Sequence, residues 1–138
     1  MKWKSKQFGE FEYAQDHVLI FPDGLIGFEN LHKYILINEE ESLPFLWLVS
    51  LEDQHISFPL IDPRTFKEEY PEGIHNKEQY SILVVASLKD RPEESVINLR
   101  SPILIENTTQ RGRQVVLENE AYDFRQPLFS ALAESSKG

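Results

Sequence analysis

The 138-residue sequence contains no cysteine, which excludes disulfides, thiolate metal sites and cysteine nucleophiles together. The absence suits a reducing compartment. Long apolar runs are also missing. The longest, residues 43–49 and 82–86, fall far short of the roughly 20 residues that span a bilayer as a helix. The basic start, Met1 to Lys6, runs into Gln7-Phe8-Gly9-Glu10 and not into an apolar signal core. These gaps lead to the expectation of a cytoplasmic protein with no membrane contact. Positive charge is scarce as well: 14 Lys and Arg stand against 23 Asp and Glu, a net charge of −9. Nucleic-acid binding needs a cationic surface to displace counterions from phosphates, so direct binding of RNA or DNA is not expected. An acidic surface steers basic partners inward, although acidity also serves simple solubility.

What is present is a series of short β-type runs closed by turn residues. Val18-Leu19-Ile20-Phe21 ends at Pro22-Asp23-Gly24, and Tyr34-Ile35-Leu36-Ile37 ends at Asn38 and three glutamates. Residues 45–49, 56–61, 80–88, 103–105 and 114–117 continue the pattern. Such spacing, rich in β-branched and aromatic residues, reads as a sandwich or barrel. Pro59 cannot donate to a ladder, so its strand is expected at an edge or with a bulge. Helical signals are few. Asp62 before Pro63, or Thr65 with Glu68, would start a short helix in which Phe66 meets Tyr70, and residues 127–133 would form another. The expected fold is all-β and mostly antiparallel: a small β-barrel-like domain with at most one or two short helices. It spans 1–138 as one domain, with a tail that frays from about 134.

Chemistry-bearing motifs are lacking. Gly24-Leu25-Ile26-Gly27 has no following Gly-Lys-Ser/Thr and no third glycine opening a helix, so its glycines are read as turn formers with positive φ. His17, His32, His55 and His75 have no ligand spacing. The acidic runs Glu39-Glu40-Glu41 and Glu52-Asp53 lack the alternating oxygens of a calcium loop. No serine lies in a nucleophile elbow. The reading is that the protein is not an enzyme and uses no cofactor or metal. Aromatics at turn-flanking positions, Phe28, Phe45, Trp47, Phe58, Phe66 and Tyr70, are more than a core of this size needs. Those left exposed beside acids would anchor a protein interface.

Several of these segments, in order, resemble the FliW family of flagellar assembly factors. They are Phe8-Gly9-Glu10, residues 21–29 (Phe-Pro-Asp-Gly-Leu-Ile-Gly-Phe-Glu), Pro44 to Leu48, Ser50 to Asp53, Ser57-Phe58, Asp62-Pro63 and Tyr70. Asn98 to Ile103, Gln114 to Leu117 and Tyr122 follow, so the resemblance covers residues 8 to about 128. The family turn often carries proline where Ile26 stands, alanine in place of Ser101, and asparagine in place of Glu106. The resemblance implies a cytoplasmic regulator that binds flagellin. On release from flagellin it binds the RNA-binding translational repressor CsrA, away from the RNA path, and relieves repression of flagellin synthesis. It is expected to be a monomer when free. Two candidate protein-binding patches follow from the residues. One is Phe58, Asp62 and Tyr70 with Glu68, Glu69 and Glu72; the other is Phe28-Glu29 with Glu52 and Asp53. The alternative from another class is a β-barrel module that binds a small ligand.

Overall fold

A computed structural model describes residues 1–65, 70–71 and 76–128. Eleven short strands form within them: β1 Lys2–Ser5, β2 Gly9–Glu12, β3 Leu19–Ile20, β4 Lys33–Ile37, β5 Leu46–Ser50, β6 Ser57–Ile61, β7 Tyr80–Ser87, β8 Val96–Ile97, β9 Ile103–Glu106, β10 Gly112–Gln114 and β11 Gln126–Pro127. Every pairing between strands is antiparallel. The main sheet runs β10-β9-β7-β6-β5-β4-β3, with β8 beside β7 and β11 beside β8, while β1 and β2 form a separate hairpin. The two end strands of this path come together at one parallel bridge, Ile20 to Arg111. There the Ile20 N–H donates to the Gln110 carbonyl at 3.0 Å. The sheet is thus curled until its ends touch, but no full ladder closes it into a barrel.

Alternation along the strands explains why the sequence runs are almost continuously apolar. On β7, Ile82, Val84 and Ala86 face one cluster, while Leu83 and Val85 face another. On β4 and β5, Tyr34, Leu36 and Leu48 point inside the curl; Ile35, Ile37, Trp47 and Val49 point outside it. Both faces of the sheet are covered, so neither set of alternate positions is polar. The β1–β2 hairpin supplies one outer cover: Trp3, Phe8 and Phe11 pack on the outward set, with Phe8 edge-on to Trp47 at 5.8 Å. The curl interior holds Phe21, Tyr34, Leu48, Leu60 and Ile103 with no exposed surface. Each such side chain is worth roughly 1.5–3 kcal/mol of burial.

Three expectations change. The strand holding Pro59 lies inside the sheet: Pro59 stands opposite Trp47 on β5. Its ladder to β7 begins only at Leu60, opposite Val85, so the missing N–H sits where pairing has stopped. The expected strand at residues 114–117 is β10, Gly112–Gln114, and residues 115–117 leave the ladder. Gln126–Pro127 pairs with β8, and Leu128, the last described residue, is helical, one residue after the expected start. The Asp62 start signal does form a turn, a 3-10 segment at Pro63–Thr65, with Asp62 Oδ1 accepting the Arg64 N–H at 2.9 Å. The expected continuation through Phe66 and Glu68, the helix beyond residue 128 and the tail from 134 lie outside the described residues.

Candidate functional site

Where the β6–β7 ladder ends, an open groove begins. Phe58, one residue before Pro59, lies half-buried in it, opposite Leu48 on β5. The turn at residues 22–31 brings Phe28 onto it: the two rings meet edge to face at 5.0 Å. Phe58 in turn leans on Tyr34 at 6.4 Å, and Tyr34 on Phe21 at 5.3 Å. The rim aromatic is therefore backed by a row of rings that reaches the core.

That turn is fixed by its glycines and by one glutamine. Gly24 and Gly27 have φ of +69° and +89°, the positive values read from the sequence. A Cβ on Gly24 would also lie 2.6 Å from Glu29 Cα and from the Phe28 carbonyl oxygen, so no other residue fits. Gln114 ties the turn to the far wall: its Oε1 accepts the Ile26 N–H at 2.9 Å, and its Nε2 donates to the Ser101 carbonyl at 3.0 Å. The result is a groove of about 400 Å³ lined by Phe28, Phe58, Val85, Val96, Ser101 and Phe124 among others. Three lining residues are large hydrophobics that remain more than half exposed: Ile26 at 57%, Val116 at 54% and Phe124 at 52%. The Arg100 guanidinium stacks over the Phe124 ring, 5.3 Å from its centroid. It is held there by donating Nε–H to the Leu117 carbonyl at 2.6 Å.

A second depression, about 520 Å³ and shallow, lies against the β1–β2 hairpin and is lined by Trp3, Glu10, Glu52, Asp53 and His55 among others. Its acids serve the local backbone. Glu52 accepts the N–H groups of His32 and Lys33. Asp53 Oδ1 accepts the His55 N–H at 2.9 Å. Partial burial raises the Glu52 carboxyl, but those two backbone donors, helped by the nearby His32 and Lys33 side chains, outweigh it and hold the pKa below the usual range. Among the described residues no group of three or more His, Cys, Asp or Glu side chains is placed to hold a metal ion. Nor is any helix there long and apolar enough to cross a membrane.

The sequence-derived patches are thus regrouped. Phe28 and Phe58, assigned to different patches, sit together in the groove. Glu52 and Asp53 line the other depression. Tyr70 is 1% exposed, with its hydroxyl donating to the Leu99 carbonyl at 2.6 Å and its ring edge-on to Tyr122 at 5.0 Å. It is a core residue and offers a partner no surface. Burial first, then Tyr122, pushes its pKa far above the ordinary tyrosine range. Asp62 pairs with Arg64 at 3.4 Å beside the 3-10 turn. Glu68, Glu69 and Glu72 lie outside the described residues. Sequence reasoning missed Ile26, Val116 and Phe124. Ile26, between two turn glycines, was the one with a usable signal.

Comparison with known proteins gives a consistent picture. A family model described as FliW protein matches residues 2–128. The "Flagellar assembly factor FliW" of Thermotoga neapolitana is 37% identical, over 88% of this chain and 89% of that protein. The protein of the same description from Thermotoga maritima is 35% identical, over 99% and 98%. A solved structure described as "Crystal structure of the flagellar assembly factor FliW" superposes with a TM-score of 0.82 at 24% identity. It covers 93% of this chain and 96% of that one, and shows the fold alone.

Proposed function

Because the chain belongs to the FliW family, we propose that it is a cytoplasmic flagellar assembly factor that acts by binding other proteins and does not catalyse a reaction. It works as one domain, monomeric when free, and exchanges partners. It holds flagellin while flagellin is inside the cell. Once flagellin leaves, it captures CsrA and lifts repression of flagellin translation. The observation that carries a binding role is the groove. Three large hydrophobics are left in solvent around two backing phenylalanines, as in interfaces with aromatic anchors. A small-ligand pocket has a similar volume, but its rim residues would not stand more than half exposed, as Ile26, Val116 and Phe124 do.

The net charge of −9 gives the exchange a second support. A repressor that reads RNA presents a basic surface, which an acidic protein approaches quickly and from which it repels RNA phosphates. Titration of purified flagellin and purified CsrA into the protein tests the reading. Both should bind, and saturating flagellin should weaken CsrA binding. Raising salt should slow CsrA association and reduce RNA release. Absence of binding to both proteins would overturn it.

A further inference from the structure

The groove is electrically unlike the rest of the protein. The chain has 23 acidic and 14 basic residues, yet among the described residues the groove lining contains no Asp or Glu and one cation, Arg125. Arg125 is exposed and has no ion-pair partner among the described residues. A second guanidinium, that of Arg100, is held at the Phe124 rim by its carbonyl contacts. The neighbouring Glu29 is not in the lining, and its carboxylate accepts the Gly27 N–H at 3.2 Å.

We propose that the groove receives an apolar peptide segment of a partner protein that carries an acidic side chain. The apolar residues cover Phe28, Phe58, Val116 and Phe124. Arg125 pairs the carboxylate. This rests on the reading of the groove as a protein-binding surface and adds the chemistry of what it takes. It separates the partners by sign: an apolar, acid-bearing segment here, and a basic partner at the acidic remainder of the surface.

Selection of a phage-displayed random peptide library on the whole protein tests this, with Val116→Asp as the parallel control. Apolar peptides should be enriched on the wild type and not on the control, with Asp or Glu over-represented about 5-fold, the scale of an exposed ion pair. On Arg125→Glu the enriched charge should change to Lys or Arg. For a selected peptide, acid-to-lysine substitution should weaken binding about 10-fold on the wild type and restore it on Arg125→Glu. Equal enrichment on wild type and Val116→Asp would overturn the groove reading itself. Groove-dependent peptides that are neutral or basic, or an acid preference that survives Arg125→Glu, would overturn the carboxylate assignment and leave the groove as a binding surface.

Discussion

The two depressions in the surface use their side chains in opposite ways. Beside the hairpin, carboxylates are consumed by the fold: Glu52 closes on two backbone amides and Asp53 on a third. In the groove, large apolar groups are left in water. Charge on a surface therefore does not by itself mark an interface. Carboxylates that satisfy turn amides are structural. Large hydrophobics with no cover are the better sign.

The strongest way to break the contrast is at Gly24. Alanine there would hold a side chain at φ +69° and press its Cβ to 2.6 Å from two backbone atoms across the turn. The strain of a left-handed non-glycine residue alone is about 1–3 kcal/mol, and the contact adds to it. We expect Gly24→Ala to lose about 3 kcal/mol, a melting point lower by roughly 10 °C. Partner binding should fall with it, since Phe28 hangs from this turn. A melting curve within about 2 °C of wild type would show that the turn is softer than its geometry implies.

Next comes Val116→Asp, which sets binding against stability. Val116 is 54% exposed, so its substitution should change stability by no more than about 0.5 kcal/mol. A charge placed among apolar contacts should weaken partner binding at least 10-fold, about 1.4 kcal/mol. Asp53→Ser, in the other depression, should leave binding at the groove unchanged. If the two variants weaken the same partner equally, the depressions form one interface and the contrast drawn here fails.

How much of this was legible in the residues themselves? The strands buried on both faces were, because runs such as residues 34–37 carry no polar alternate. The β1–β2 hairpin was not recognised, although Lys2-Trp3-Lys4 and Glu10-Phe11-Glu12 alternate with a period of two and pair in register, Trp3 opposite Phe11. Phe28 and Phe58 were legible as aromatics near turns. Their meeting was not, because it depends on a turn that Gln114, far along the chain, ties to the opposite wall. Tyr70 shows the reverse error. An aromatic near acids looks like an anchor, and partners distant in sequence, the Leu99 carbonyl and the Tyr122 ring, make it core.

A smaller effect tests the structural role of Glu52. Its folded pKa is held below the usual value near 4.5, so the carboxylate favours the folded state above that pH. The contribution is lost as pH falls through the lowered folded value. Glu52→Gln should give a shallower loss of melting temperature below about pH 4.5 than wild type, with little change in partner binding. Identical acid limbs for the two proteins would show that the amide contacts are too weak to matter.

The smallest effect lies where the regions meet. Tyr34 packs its ring on Phe58 and Phe21, on the groove side, while the Glu52 charge of the other region acts on its hydroxyl. Burial first, and Glu52 second, raise its pKa from 10.0 to about 12. The neutral form is thus favoured in the folded state. That stabilisation is fully present below pH 10.0 and is lost as pH rises through about 12. Tyr34→Phe should flatten part of the alkaline limb of the melting curve, the remainder belonging to Tyr70. At neutral pH the same change removes a buried hydroxyl that has no partner among the described residues and keeps the ring contacts. We therefore expect equal or greater stability, by up to about 1 kcal/mol. A loss of more than that would mean that the hydroxyl bonds a group within the fold, and that the row of rings behind Phe58 depends on it.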